Sequence, residues 1–308
     1  MGLCGGKQIT IMENFELSIV WWNTSLSPPI SSNRNEAPTE KKIIIASVIQ
    51  KFMESNYEFI CLGEVSSEDL LVFEKIIEPQ KFGYSCAKGT EKDSRLYFDT
   101  CVYYKKHHTL HRQNGADVKK FTMSSSNRNY KVGQKYKFTL SIGEDIVFYL
   151  SHWPSRLRDV DLQISSIAER LRVDVETESE TINNIVLVGD YNVEPYDKRI
   201  VHHLQSSREK ELVLKRPNIF YNPCWKFLTA TQTLHNFDKT GTYHYPSGQF
   251  HSWNTIDQIM FSKVFLTDSW KFEDELIQII DPNILMKDET IDYNLSDHYP
   301  LIANIVRN

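Results

Sequence analysis

The stretch IVLVGDYNVEP, residues 185–195, joins an apolar run to two closely spaced polar side chains. The run up to Gly189 is typical of a buried strand, and Pro195 prevents further strand pairing. Since alternate side chains of an extended chain point to the same face, we expect Asp190 and Asn192 to share one site. A turn capped by Asp and Asn has a similar sequence, so this stretch alone is compatible with both interpretations.

Length and composition indicate a globular protein without membrane insertion. The 308 residues are 41% hydrophobic and 24% charged, enough for one large domain or two small ones. The chain has no apolar run of about 18 residues. Its formal net charge of -5 excludes a global positive field for non-specific binding to nucleic acid. The five cysteines include no Cys-x-x-Cys pair, which argues against a disulfide framework and fits a cytoplasmic location.

Apolar and β-branched runs predict strands that alternate with amphipathic helices. The predicted strands are 17–22, 59–65, 100–104, 136–142, 146–152, 185–189 and 256–261. Helices are predicted after Pro38, after Ser66 and over the apolar stripe of 157–171. Two segments, 24–38 and 122–135, are predicted to be polar loops.

No repeat or linker divides the chain. We therefore expect residues 1–14 to form a disordered leader and residues 15–308 to form a single domain. Interleaved strands and helices favour an α/β sandwich with its sheets inside and its helices outside.

Further strand ends carry polar side chains suited to chemistry. They are Asn23, Glu64, His152, Asp257 and the pair Asp297 and His298. Taken singly, such an Asn, Glu or Asp is more often a turn or cap residue, and a lone His is more often structural. Asp257 differs, because a carboxylate inside an apolar strand needs a partner.

Six motifs, W-N, G-E-V, S-H, G-D-x-N, I-D-Q-I and S-D-H, follow one another along almost the whole chain. In this order they resemble the endonuclease/exonuclease/phosphatase superfamily, from about residue 17 to residue 306. The most specific are GDYN (189–192) and SDH (296–298). The resemblance implies a deoxyribonuclease-I-like fold, an α/β (α+β) four-layer sandwich of two packed mixed β-sheets flanked by helices. One edge of this sandwich would gather the strand ends into one pocket.

The resemblance also implies metal-dependent hydrolysis of a phosphodiester. Such a reaction needs a cation to neutralise charge, a base for water and donors for the developing charge. Glu64 would be the principal metal ligand, with Asn23 and Asp297 nearby. Oxygen ligands favour Mg²⁺, with Mn²⁺ as an alternative.

Four residues would act on the substrate according to the same resemblance. Asp190 would orient or deprotonate the attacking water, and Asn192 would hydrogen-bond the phosphate. His298, held in one tautomer by Asp257, would act as a general acid or as an electrostatic stabiliser.

The deoxyribonuclease branch of the superfamily has a second histidine, paired with an acidic residue of a neighbouring strand. His152 and Asp99 would form this pair, although a short acidic turn before a strand predicts the same letters. Arg156 could contact a phosphate oxygen or form a surface salt bridge.

Two basic segments offer weaker signals. In NRNYKVGQKYK, residues 127–137, Lys131 and Lys135 alternate with tyrosines as in a loop that contacts nucleic acid, but a solvated hairpin has the same pattern. In KKHHTLHR, residues 105–112, the histidines could form a metal site, but an exposed strand end is favoured because supporting ligands are lacking.

The leading hypothesis is a Mg²⁺-dependent phosphodiesterase that hydrolyses nucleic acid. DNA is the favoured substrate, and the enzyme would be an endonuclease or an exonuclease. A small phosphoester is the alternative substrate, and an inactive binding module is the alternative of another class. Gly63 stands where relatives often have Gln, and Ser25 stands where the repair-enzyme branch has an acidic residue, which weakens assignment to that branch. The run at 241–259 resembles uncharacterised bacterial members.

Overall fold

The computed structural model describes residues 15–27, 37–93, 95–125, 127–155, 161–229, 241–282 and 295–308. The predicted leader at 1–14 and Arg156 lie outside these residues, as does the first part of the predicted helix at 157–171.

Helices form in the three regions where the apolar periodicity predicts them, and a short fourth helix was not predicted. The described α-helices are α1 (Thr39–Glu54), α2 (Ser67–Ile77), α3 (Asp161–Ser179) and α4 (Lys210–Lys215). The predicted capping box of α2 is present, since the side chains of Ser66 and Asp69 bond each other's backbone N–H groups. Among the described helices, none is both long enough and apolar enough to cross a membrane.

Most strands are short, and all run between turns or helices. They are β1 (Glu16–Asn23), β2 (Phe59–Gly63), β3 (Tyr84–Lys88), β4 (Glu91–Asp93), β5 (Leu96–Phe98), β6 (Cys101–Lys105), β7 (Thr109–Leu110), β8 (Lys119–Ser125), β9 (Arg128–Thr139), β10 (Asp145–His152), β11 (Asn184–Asp190), β12 (Ser206–Ser207), β13 (Phe220–Tyr221), β14 (Tyr243–His244), β15 (Trp253–Asn254), β16 (Asp257–Phe261), β17 (Trp270–Lys271), β18 (Ile277–Ile279) and β19 (Leu301–Arg307).

Two mixed sheets pack face to face. The first has the order β17-β19-β1-β2-β6-β3, with β18 on β19, and the second has the order β12-β13-β16-β11-β10-β9-β7, with β8 on β9. Side chains such as Trp21, Phe59, Phe148 and Val188 fill the space between the sheets. The outer face of the first sheet packs on α1 and α2, and that of the second packs on α3. The predicted four-layer sandwich is confirmed.

The prediction of a polar loop at 122–135 is wrong, because these residues belong to the hairpin of β8 and β9. One face of the hairpin is buried by Phe121 and Val132, which pack with α3. The opposite, polar positions gave the segment its loop-like composition.

Parallel pairing brings the polar strand ends to one edge of the sandwich. β1 and β2 are parallel, with Asn23 opposite Gly63, and β10 and β11 are parallel, with His152 opposite Asp190. β16 runs antiparallel to β11 and begins at Asp257, directly opposite Asp190. Strands that end together present their last side chains together, so topology creates the site.

Candidate active site

His298 and Asp257 form a buried pair. His298 Nδ1 lies 2.7 Å from Asp257 Oδ2, and Trp21 donates its Nε1–H to the other carboxylate oxygen at 2.8 Å. Burial by itself lowers the pKa of the imidazole, but the carboxylates of Asp257, Asp190 and Asp297 outweigh burial and raise this pKa to about 10. The unpaired Nε2 therefore carries a proton at the cleft.

Asp190 lies at the centre of the site and is only 2% exposed. Its Oδ1 accepts the backbone N–H of Asn192 at 2.9 Å, and its Oδ2 accepts from Asn23 Nδ2 at 3.2 Å. The same Oδ2 lies 3.8 Å from His298 Nε2. Burial, helped by the charge of Asp257, raises the pKa of Asp190 to about 6 despite the two nearby histidines. A carboxylate with this pKa can exchange a proton near neutral pH.

The backbone around GDYN fixes the two side chains that the sequence placed on one face. A Cβ on Gly189 would overlap the carbonyl oxygen of Ser151, so only glycine allows β10 and β11 to approach here. Asn192 has a left-handed backbone conformation with φ of 53°, and its Nδ2 donates to the carbonyl of Trp153 at 2.8 Å. The amide keeps a second N–H for a ligand.

The second predicted pair is also formed. His152 Nδ1 lies 2.7 Å from Asp99 Oδ2, and His152 Nε2 lies 3.6 Å from Glu64 Oε1 and 4.0 Å from Asp190 Oδ2. Lys131 donates to Asp99 Oδ1 at 2.5 Å. Burial lowers the pKa of His152, but Asp99 outweighs it and the pKa is raised.

Lys131 and Lys135 do not lie on a substrate-binding loop. Both belong to β9, and Lys131 forms an ion pair with Asp99. Lys135 is 5% exposed and contacts Glu178 at 2.5 Å and Asp174 at 3.3 Å on α3. Lys135 therefore faces acidic side chains of α3, and neither lysine is among the residues that line the cleft. The prediction that Lys135 contacts substrate is therefore corrected.

The strand ends open into a cleft of about 810 Å³. Its lining includes Glu64, His152, Asp190, Asn192, Asp297 and His298, together with four residues for which no role in the site was predicted: Ser25, Lys41, Tyr243 and Tyr245. The rings of Tyr243 and Tyr245 are nearly parallel, with centroids 6.4 Å apart. The GTYHYPSG run could have indicated that its two tyrosines line the cleft. No local pattern indicates this for Lys41, which lies in a helix.

A family model for the endonuclease/exonuclease/phosphatase family matches residues 30–301 of the sequence. The chain belongs to the endonuclease/exonuclease/phosphatase family. Members of this family are generally hydrolases that act on phosphoester bonds, and they typically depend on a divalent metal ion. No curated protein matches the sequence.

Solved structures of the family share the fold at low sequence identity. An endonuclease/exonuclease/phosphatase family protein from Bacteroides thetaiotaomicron has a TM-score of 0.60 at 13% identity, covering 96% of each chain. TDP2 from D. rerio, complexed with a single-strand DNA product, has a TM-score of 0.59 at 14% identity, covering 94% of this chain and 98% of that one. The human Nocturnin catalytic domain, with bound sulfate, has a TM-score of 0.59 at 14% identity, covering 95% and 94%.

The residues of the cleft fit the divalent ion typical of this family. Oε1 of Glu64 accepts from Asn23, and Oδ1 of Asp297 accepts from Ser25. Within the described residues, the second oxygen of each carboxylate has no hydrogen bond and can serve a hard cation. Asn23 turns its amide nitrogen toward Glu64 and Asp190, and its oxygen accepts from the backbone of Ser25. In this orientation Asn23 connects the carboxylates of Glu64 and Asp190 through hydrogen bonds. Its predicted role as a ligand stays a prediction.

Asp190, Asp257 and His298 also lie close enough together to hold a metal ion. Their facing atoms are poor metal ligands, because Asp257 bonds His298 Nδ1, the other ring nitrogen of His298 carries a proton, and Asp190 accepts two hydrogen bonds. This group is therefore better suited to proton transfer than to metal ligation.

A second group of ligand-type side chains lies elsewhere, at Glu58, His107 and His108. Both imidazole Nε2 atoms lie 2.6 Å from Glu58 Oε2. Ser141 donates its backbone N–H to His108 Nδ1, so His108 carries its proton on Nε2 and has no lone pair there for a metal. His108 is 3% exposed, which corrects the prediction of an exposed strand end at this position.

Proposed function

We propose that this protein is a Mg²⁺-dependent phosphodiesterase that hydrolyses nucleic acid, with DNA as its preferred substrate. The observation that carries the proposal is the position of Asp190 between two His–Asp pairs. Its Oδ2 lies 3.8 Å from His298 Nε2 and 4.0 Å from His152 Nε2, in the cleft that Glu64 and Asp297 also line.

The side chains of the cleft divide the steps of hydrolysis among them. Asp190, with a pKa of about 6, orients a water molecule toward phosphorus and accepts its proton. His298 donates the proton on Nε2 to the leaving oxygen, because Asp257 occupies Nδ1 and supports the positive charge. The second N–H of Asn192 donates to a phosphate oxygen. Glu64 and Asp297 would hold a divalent ion, which would supply positive charge to neutralise the phosphate and polarise its oxygens.

Two observations favour nucleic acid over other phosphodiesters. Tyr243 and Tyr245 place parallel aromatic faces on the wall of the cleft, and such faces stack on bases without regard to sequence. TDP2, which has a similar fold, was solved with a single-strand DNA product.

One observation favours a small phosphoester as a second candidate substrate. Among the described residues that line the cleft, Lys41 is the only lysine or arginine. A long polyanion is usually met by several cations, whereas Lys131 and Lys135 point into the protein.

The test is an activity screen of the purified protein with Mg²⁺ or Mn²⁺ and its His298→Ala variant in parallel. Substrates are plasmid DNA, single-stranded DNA, RNA and mononucleotides. We expect cleavage of DNA that His298→Ala loses. Hydrolysis of mononucleotides alone would support the second candidate. Binding of DNA without turnover of any substrate would refute the proposal in favour of a binding module.

A further inference from the structure

Lys41 occupies an unusual place for a lysine. It lies in the first turn of α1, where the helix dipole disfavours a positive charge, yet its side chain is half-buried and lines the cleft. Its neighbour Lys42 has an evident structural role, because its Nζ lies 2.8 Å from the buried carboxylate of Asp69. Lys41 makes no ion pair of this kind with any residue of the described part of the chain. Its position therefore needs another explanation.

A hydrogen bond to Ser25 holds the Lys41 ammonium at the cleft. Lys41 Nζ donates to the carbonyl oxygen of Ser25 at 3.0 Å. Ser25 has a left-handed backbone with φ of 49°, and its hydroxyl donates to Asp297 Oδ1. Asp297, which accepts from this hydroxyl, and Glu64 line the same cleft as Lys41. One contact to a carbonyl leaves two N–H groups for a ligand.

Two carboxylates of the cleft that contains Lys41 have limited capacity for cations. Glu64 and Asp297 each use one oxygen in a hydrogen bond, to Asn23 and Ser25 respectively, and each keeps one oxygen for a metal ion. Two such oxygens suit one divalent ion, and the ammonium beside them repels another. Glu64 and Asp297 would hold the divalent ion, and the two remaining N–H groups of Lys41 would donate to an oxygen of a phosphate that enters the cleft.

We propose that Lys41, held in place by Ser25, is a phosphate-binding residue of the cleft and supplies the positive charge that a second metal ion would otherwise supply. This inference rests on the proposed function, because it assumes a divalent ion at Glu64 and Asp297.

The test measures binding, so it does not depend on turnover. Mn²⁺ binding to the full chain is titrated by electron paramagnetic resonance, and binding of inorganic phosphate to the Mn²⁺-loaded protein is titrated by calorimetry. The variants are Lys41→Met, Lys41→Gln in case the first variant unfolds, and Lys41→Arg. Lys51→Met is the matched control, because Lys51 lies in the last turn of the same helix and pairs with exposed Glu54.

Removal of the ammonium is expected to change the two affinities in opposite directions. In Lys41→Met, Mn²⁺ should bind several-fold more tightly because a like charge is gone, and phosphate should bind about tenfold more weakly because a donor is gone. Lys41→Arg should keep most of the phosphate affinity, and Lys51→Met should match the wild type. A purely structural role would not separate the two affinities in this way.

Two results would overturn the inference, and they are distinguishable. If Mn²⁺ binds normally but Lys41→Met changes phosphate affinity by less than about twofold, Lys41 is not a phosphate ligand and the proposed function still stands. If the wild-type protein binds no Mn²⁺ at millimolar concentration, the metal-dependent function fails and this inference fails with it.

Discussion

Replacement of Asp257 by Asn tests whether the buried pair drives turnover. In the wild type, Trp21 donates to Asp257 Oδ1 and His298 Nδ1 lies 2.7 Å from Oδ2. In the variant, the Asn oxygen would keep the Trp21 bond, so the amide nitrogen would face His298 Nδ1. His298 Nδ1 would then have to accept a hydrogen bond from the amide, which leaves a neutral imidazole with its proton on Nε2.

The expected loss follows from this change of protonation. A hydrogen bond to a charged group contributes about 1.5–3 kcal/mol, so its loss alone corresponds to about 10- to 150-fold. A neutral imidazole is also a far weaker acid, which brings the expected loss in kcat to about 10² to 10⁴-fold. Folding should be preserved because Asn has the same shape as Asp and satisfies Trp21.

The assay is a comparison of kcat for Asp257→Asn, His298→Ala and the double variant, with Mn²⁺ binding and thermal unfolding measured on each. Asp274→Asn is the matched control, since Asp274 bonds Tyr221 outside the cleft lining. If the pair acts as a unit, the double variant should be little worse than either single variant. Losses that multiply in the double variant would show that Asp257 acts independently of His298, and its role would then be structural.

Three further outcomes are expected. Activity should disappear when a chelator removes metal from the protein, and it should return when Mg²⁺ or Mn²⁺ is added. The protein should fold without zinc. Full activity of the metal-free protein in excess chelator would contradict oxygen ligation of a required metal. Lys135→Met should lower the free energy of unfolding by about 3 kcal/mol in urea titrations, because Glu178 loses its lysine partner and Asp174 keeps only Lys119 of its two lysine partners, while kcat/KM stays unchanged; a large rise in KM would restore the idea of a substrate contact. Burial raises the pKa of Asp99, but Lys131 and His152 outweigh burial and hold the pKa well below its usual range, so this carboxylate contributes stability above about pH 4 that is lost as the pH falls further. Between pH 5 and pH 2, the free energy of unfolding should therefore fall by about 2 kcal/mol less in Asp99→Asn than in the wild type. Identical pH profiles of the two proteins would rule out this contribution.

The sequence predicts those parts of the site that depend on local patterns. An apolar run followed by a polar residue locates the end of a strand, and parallel ends meet at one edge, so Asn23, Asp190 and His152 could be placed together. Asp257 could be recognised because a carboxylate within an apolar strand must have a partner. The family resemblance then related these residues to phosphoester chemistry.

Charged side chains with distant partners could not be placed in this way. Lys135 is buried by carboxylates of α3 about forty positions along the chain, and no local pattern distinguishes such a lysine from one that contacts substrate. Lys41 presents the opposite case. A lysine in the first turn of a helix looks like part of a solvated face, and only the fold brings it beside Glu64 and Asp297. The tertiary partner of a charge decides its role, and a sequence without an alignment does not reveal that partner.

The partners of the two carboxylates explain why two similar His–Asp pairs can have different roles around Asp190. Asp257 accepts from Trp21, a neutral donor, so its full charge supports the imidazolium of His298. Asp99 shares its charge with the ammonium of Lys131, which lies 2.5 Å away and partly opposes the rise that Asp99 causes in the pKa of His152. His298 is therefore the stronger candidate for donating a proton to a leaving group. His152 Nε2 lies 3.6 Å from Glu64 Oε1, so we propose that His152 orients this carboxylate. The proposed difference in role follows from the second partner of each aspartate, which is a neutral indole for Asp257 and a cationic ammonium for Asp99.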